Sequence, residues 1–503
     1  MARQVAAGMA WGMGGAATYQ VVGLLVQMAL TYLLTKEDYG AYGKAAALLG
    51  FSMLLQQLGF NEVLLRRQRQ LRLWLSAAFW LPLMLGACGT MVLAAAAWPV
   101  AALYGDSQLR WLLLLAAPLP LIRSLNVLPV VLLLQAMRFR THYGVMLANA
   151  VATSCVTLVL AVSGMGAKSF SLAMLIVEPL SALTLWSAAR PVFHGGPKPA
   201  RWRFLIRDLR FIFGSNLARW SRAYADPLVL GLFAGASVVG VYFFAQSMLL
   251  QIVRVVTLNL AGVLLPALNR VADDPVRQAR AFLRAARVLL LIGTPLCVGV
   301  GVAGSLFVRV FLDADKWKEL PPLLAVLAAG MMFRLLDEPI NTLIVAQGRF
   351  RLACRISTVS AAIYLAACTL GSASGLAINT AIAASIYYLV AGPMMLFLAI
   401  RPAGCSWFEA VRVFIDPAVL AVAGVVPWVL MDAALPGAGR LRDALVLAVT
   451  IAGASLTCLL LARQLHPAGW SELIGRIADV VPPTMKPLIA RVGGMKERGE
   501  VNS

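Results

Sequence analysis

The sequence predicts an all-α, polytopic membrane protein of about fourteen transmembrane helices, and three observations carry that prediction. Of its 503 residues, 61% are hydrophobic and only 13% charged, about half the charged fraction of a soluble domain. Apolar runs of roughly 20 residues, each long enough to cross a hydrocarbon core about 30 Å thick, recur from near Met1 to about Ala462. Segments of about ten alternating residues, the signature of a membrane β-barrel, do not occur. A purely soluble protein is excluded.

The runs place spans at about 8–34, 41–63, 73–98, 109–134, 143–163, 169–189, 211–233, 238–265, 288–310, 321–345, 353–371, 376–400, 413–433 and 443–462. The first is too long for the apolar core of a signal peptide and reads as a span. The net charge of +21 follows this pattern. With a cytoplasmic N-terminus, the even-numbered connections carry most of the arginines, among them Arg66, Arg67, Arg138, Arg140, Arg201, Arg277 and Arg349. The opposite face has Lys36, Arg110, Lys168, Lys316, Lys318, Arg440 and Arg442. That bias puts both termini in the cytoplasm and accounts for the basic excess without a nucleic-acid partner.

The longest internal connection, with Pro191, Gly195, Gly196, Pro197 and Pro199, is basic and reads as a linker. On either side of it the chain repeats. Arg123, Asn126, Arg138, Phe139 and Arg140 match Arg334, Asp337, Arg349, Phe350 and Arg351 at one constant offset, and Gly40 and Tyr42 match Gly240 and Tyr242. Six spans separate the matched segments, so the repeats share one membrane orientation and predict two six-helix lobes with a central cavity. The expected organisation is a first lobe over 1–190, a cytoplasmic linker over 191–210, a second lobe over 211–400, two appended spans over 401–463 and a cytoplasmic tail over 464–503. Arg277, Arg280, Arg284 and Arg287, interleaved with Phe282 and Leu283, predict either a basic amphipathic helix on the anionic inner leaflet or a solvated connector.

Ionisable residues within an apolar span must line water, pair, or reach the interface. Lys44 and Arg309, near span ends, are expected to reach out to the interface. In the seventh span Asn216, Arg219, Arg222 and Asp226 share one helical face, and Pro227 follows. In the tenth, Arg334, Asp337, Glu338 and Asn341 repeat the device around Pro339. Arg123 and Asn126 stand among Pro118, Pro120 and Pro129, while Arg254 lies in the eighth span and Glu178 precedes Pro179 in the sixth. Local pairing of Arg222 with Asp226 and of Arg334 with Asp337 or Glu338 is one reading. The other is a cationic cavity, because Arg123, Arg219 and Arg254 have no acidic neighbour within a helical turn. An arginine fork suits a phosphate-bearing substrate by donating two parallel hydrogen bonds.

Enzyme signatures are missing from the sequence. The seven cysteines form no Cys-x-x-Cys pair, which argues against a disulfide framework or zinc site. His142, His194 and His466 fall in predicted loops without ligand spacing. Gly299, Gly301 and Gly304 lie within an apolar run and read as helix packing rather than dinucleotide binding. No phosphate-binding P-loop occurs. No cofactor, metal or catalytic residue is expected.

Several segments resemble the oligosaccharide flippase (polysaccharide transporter, Wzx-like) family, of the superfamily that also contains multidrug and toxin extruders. They are Leu33 through Tyr42, Leu58 through Asn61, Asn216 through Asp226 to Gly235, Leu265 through Leu268 with Asp274 and Pro275, and Gly348 through Phe350. The resemblance implies transfer of undecaprenyl-pyrophosphate-linked repeat units across the bacterial inner membrane, with association to polysaccharide polymerase or export machinery left open. Arg219, Arg222, Arg254, Arg334, Arg123, Asn216 and Asn126 are the candidate substrate-binding residues. Asp226, Glu178, Asp337 and Glu338 are candidate coupling or structural carboxylates, with H+ or Na+ coupling open. A multidrug exporter and a membrane-embedded polymerase or glycosyltransferase are the alternatives.

Overall fold

The computed structural model describes residues 18, 22–23, 25–54, 71–136, 138–191, 213–269, 271, 274–434 and 439–465. Nearly all of the expected linker and tail lies outside these residues. Among the described residues the regular structure is entirely helical, and eleven helices are long and apolar enough to cross a membrane. This is a multi-pass membrane protein. Those eleven coincide with eleven of the expected spans. The other three, at about 8–34, 41–63 and 211–233, run into residues outside the described set, and the last is also interrupted at Ala225.

The helices are α1 (Lys36–Leu54), α2 (Leu71–Tyr104), α3 (Ser107–Ala116), α4 (Leu119–Ser124), α5 (Val127–Gln135), α6 (Phe139–Val162) and α7 (Lys168–Ala189). There follow α8 (Asp226–Gly231), α9 (Ala236–Asn269), α10 (Pro275–Val302), α11 (Gly304–Phe311), α12 (Leu320–Arg334), α13 (Asp337–Ala346), α14 (Phe350–Ser372), α15 (Ala377–Ile400), α16 (Trp407–Ala434) and α17 (Arg440–Leu465). Residues 25–33 and 213–224 are also helical. The chain divides into two compact units. The first holds Met1–Gln251, Phe311–Leu327 and Gly348–Tyr387; the second holds Ile252–Val310, Ala328–Gln347 and Tyr388–Ser503.

The sequence repeat is also a backbone repeat. Asp106 Oδ1 accepts from the amides of Gln108 and Leu109 at 3.1 and 3.2 Å. Asp313 Oδ1 does the same for Asp315 and Lys316 at 3.1 and 3.3 Å. The span that follows breaks in both copies, at Leu125–Asn126 between α4 and α5 and at Leu335–Leu336 between α12 and α13. Each copy then enters its next helix through an arginine of the same conformation, Arg138 (φ −84, ψ 53) and Arg349 (φ −87, ψ 48). Proline explains the breaks, since it lacks the amide hydrogen and clashes with the preceding turn.

One end of the first unit is tied by buried polar contacts and aromatic packing. Asp38 Oδ1 accepts from the Ala167 amide at 3.0 Å and from Gln108 at 3.3 Å, while its Oδ2 accepts from the Thr35 amide at 3.0 Å. Lys316 Nζ donates to the carbonyls of Thr31 and Leu34 at 2.8 and 2.5 Å, capping the helix over 25–33, whose terminal carbonyls attract a cation. Tyr39, Phe244 and Trp317 meet with ring centroids 4.8 to 5.8 Å apart.

Two expectations change here. Lys44 does not reach the interface: it is buried and ion-paired with Asp106 at 2.8 Å, because a partner is at hand and an unpaired buried ammonium is far costlier. The basic segment is not a separate helix on the leaflet but the start of α10, continuous to Val302, N-capped by Asp274 onto the Arg277 amide at 3.0 Å. Its apolar residues Phe282 and Leu283 are buried within the protein while all four arginines are exposed.

Helices α1 and α9 cross with almost no clearance at equivalent glycines. A Cβ on Gly40 would overlap the Ala236 carbonyl, and one on Gly240 would overlap the Lys36 carbonyl. Backbone cannot yield as a side-chain tip can, so overpacking here costs at least about 1–3 kcal/mol. Gly40→Ala and Gly240→Ala should each lower the melting temperature of the purified protein clearly and by similar amounts. Gly144→Ala, on α6 with nothing within 4 Å of its added carbon, should leave it nearly unchanged. Equal melting temperatures for all three would refute the close crossing.

Candidate functional site

The break between α4 and α5 opens the site in the first unit. It frees backbone carbonyls that need donors in a membrane, and Trp186 Nε1 on α7 supplies one to Leu125 O at 3.0 Å. Arg123, at the end of α4, turns its Nε to Glu178 Oε1 at 2.7 Å, and its Nη2 reaches the same oxygen at 2.5 Å. Arg123 therefore has an acidic partner, 55 residues away, although none lies within a helical turn. Glu178 is buried on α7 just before Pro179.

This pair stands in the wall of a cavity of about 520 Å³. Its lining includes one face of α6, with His142, Asn149, Thr153 and Thr157 at helical spacing, and one face of α7, with Phe170, Met174, Glu178 and Ser181. Asn126, Tyr42, Gln27, Ser154 and Ser247 add further polar groups, and Tyr42 stacks on Phe170 at 3.9 Å. Asn149 accepts from Thr153 Oγ1 at 3.1 Å. Asn126 and His142 both line this space, and their buried Oδ1 and Nδ1 atoms have no hydrogen-bond partner among the described residues.

His142 corrects an expectation. It lies not in a loop but in the first turn of α6, which begins at Phe139 rather than near residue 143. The α6 polar face went unnoticed in the sequence, although its four-residue spacing of Asn149, Thr153 and Thr157 was there to find.

The seventh-span residues form a second cluster in the first unit. The helix over 213–224 stops at Ala225 and restarts as α8 with Asp226 and Pro227, a favoured residue for a first turn. Asp226 is buried, and its Oδ2 accepts from Tyr242 Oη at 2.9 Å, Gln246 Nε2 at 2.6 Å and Tyr364 Oη at 2.6 Å. These donors come from α9 and α14, so the carboxylate braces three elements. Arg222 is 3% exposed and donates to Ser357 O at 3.1 Å, while Arg219 is half-buried and donates to Asn216 Oδ1.

Arg254 and Arg334 belong to the second unit. Arg334 ends α12 with its guanidinium 5.4 Å from the Tyr388 ring centroid, a cation–π distance. Asp337 is half-buried and Glu338 exposed at the start of α13. No group of three His, Cys, Asp or Glu residues that could hold a metal occurs among the described residues.

Comparison with known proteins adds a lineage to this geometry. A family model described as "Polysaccharide biosynthesis protein" matches residues 29–322. The teichuronic acid biosynthesis protein TuaB of Bacillus subtilis is 26% identical over 314 residues, 60% of this chain and 63% of TuaB, so the match spans less than two thirds of that relative. The lipopolysaccharide biosynthesis protein WzxC of Escherichia coli is 23% identical over 405 residues, 77% of this chain and 79% of WzxC. Among solved structures, the lipid II flippase MurJ in an inward closed conformation superposes with a TM-score of 0.72 at 12% identity, covering 90% of this chain and 98% of MurJ. That likeness establishes a shared fold.

Removing one partner of a buried ion pair strands the other, and coupling between such neighbours runs to about 0.5–3 kcal/mol. Arg123→Met and Glu178→Gln should each lower the melting temperature, and the double variant should lose clearly less than their sum. Additive losses in this double-mutant cycle would show that the two side chains do not act as a pair.

Proposed function

The chain belongs to the polysaccharide biosynthesis protein family, and on that premise we propose that it is a flippase for lipid-linked oligosaccharide. Its substrate in this reading is an undecaprenyl-pyrophosphate-linked repeat unit, moved by alternating access from the cytoplasmic to the outer leaflet of a bacterial inner membrane. Both termini are then cytoplasmic, and the product serves exopolysaccharide, O-antigen or capsule synthesis. The observation that carries the proposal is a cavity walled by helices long and apolar enough to span a membrane, in which polar side chains of α6 and α7 stand along otherwise apolar walls. A hydrated head group crosses hydrocarbon only where protein hydrogen bonds replace its water. The names of TuaB and WzxC place those relatives in cell-surface polysaccharide synthesis, and that of MurJ describes a flippase of lipid II, which supports the same class of cargo here.

Within this proposal the moving parts are the two repeats, and Arg219, Arg222, Arg254 and Arg334 are the candidates for the pyrophosphate. Of these Arg222 is the least available, being buried and engaged with Ser357. A negative-inside potential favours outward movement of negative charge by about 2.3 kcal/mol per charge per 100 mV, so an electrical drive suffices in principle. Asp226, with three donors on one oxygen, acts as a brace, which leaves Glu178 and Glu338 as the better candidates for ion coupling.

Depletion in the native cells, followed by mass spectrometry of lipid-linked oligosaccharides and leaflet assignment with an impermeant sugar-binding probe on spheroplasts, tests the proposal. Complete repeat units should accumulate on the cytoplasmic side. Replacing Arg219 or Arg334 by Ala should cut their appearance outside about 10- to 100-fold, the cost of a lost charge-assisted hydrogen bond. Complete units already exposed outside would point instead to a polymerising step. No accumulation, with export of dyes by the purified protein, would favour a multidrug exporter.

A further inference from the structure

We infer that the cavity of the first unit is a subsite for the sugar rings of the cargo and not for its pyrophosphate, an inference that rests on the flippase reading. Charge is the first ground. Among the described residues of the lining Arg123 and Glu178 are the charged ones, and they neutralise each other through two contacts to one carboxylate oxygen. The doubly ionised diphosphate diester of the cargo would meet no net positive charge among these residues.

Hydrogen-bond direction is the second ground. The buried Asn126 Oδ1 has no donor among the described residues, and ionised phosphate oxygens, which only accept, cannot supply one. A sugar hydroxyl donates and accepts at once, so it matches the mixed donors and acceptors that Asn126, His142, Asn149, Thr153 and Thr157 bring to the lining.

Shape is the third. The polar rungs of α6 from His142 to Thr157 rise over about 22 Å, a row of neutral amide, imidazole and hydroxyl groups along the axis that a head group must travel. Tyr42 and Phe170, stacked in the same wall, offer an aromatic surface for the C–H face of a pyranose. The volume of about 520 Å³ lies within the range of about 300–1,000 Å³ usual for small-molecule sites. This subsite would set which sugars the protein accepts.

The test uses the full chain in lipid nanodiscs and two probes. One is undecaprenyl pyrophosphate without sugar; the other is the repeat-unit lipid extracted from cells depleted of the protein. Dissociation constants by native mass spectrometry are compared for the wild type, Asn126→Leu and the isosteric Thr153→Val. Each variant should bind the sugar-bearing lipid about tenfold more weakly, as expected for about 1.4 kcal/mol of lost hydrogen bonding. Affinity for the bare lipid should stay within about twofold, which also reports that the variant is folded. Equal weakening for both probes would assign the cavity to the pyrophosphate and overturn the inference. Unchanged affinity for both would remove the cavity from recognition altogether. A wild type that binds neither probe would overturn the flippase reading, and the subsite with it.

Discussion

A charge inside a membrane has little water to fall back on, so an ionised side chain buried on a spanning helix must be met by protein. That constraint organises the first unit. Lys44 is met by Asp106, 62 residues on, and Arg123 by Glu178, 55 residues on. Both pairs join different helices. The desolvation of such a pair offsets most of its attraction, so its net stabilisation is modest. Its value is discrimination: a helix rotated or slid out of place would leave a buried charge alone, at a cost of about 3–5 kcal/mol. Asp226 does the same with neutral donors, drawing Tyr242, Gln246 and Tyr364 from two helices onto one oxygen.

Proline turns the constraint into a site. Where it interrupts a span, backbone carbonyls lose their partners and side chains at the break are turned from the regular helical face. Trp186 repairs the backbone at Leu125, while Arg123 and Asn126 are left flanking open space. The recurrence of the break near Arg334, followed by the same backbone angles at Arg349, shows that the device was carried with the whole repeat. Apart from Asn126, at the break itself, the polar groups named in the cavity wall stand on helices, which favours fixed geometry.

Much of this was legible in the sequence because membrane spans obey two simple periodicities, length and helical facing. Eleven of the spans, the repeat, and the polar stripes around Arg123 and Arg219 follow from them. Partners across helices did not follow. Glu178 is invisible to an argument that searches one turn around Arg123, and Asp106 lies beyond the apolar run that contains Lys44. His142 was misplaced because the arginines at 138 and 140 look like the end of a cytoplasmic loop, whereas α6 already starts at Phe139. The start of α10 was ambiguous for another reason. A helix with one apolar and one basic face has the same pattern whether lipid or protein covers the apolar side, and here protein covers Phe282 and Leu283.

The proposed separation of neutral from charged recognition also suits transport. A carrier must release what it binds, and hydrogen bonds between amide or hydroxyl groups and sugar exchange nearly evenly with those to water, at about 1 kcal/mol net each. A row of such groups along α6 can hand a head group from rung to rung without a deep minimum. A buried arginine fork on a pyrophosphate would be tighter and slower to let go, unless its partner were available to take the arginine back. In the structure Glu178 already occupies the guanidinium of Arg123, so a ligand that took this arginine would have to displace a buried carboxylate.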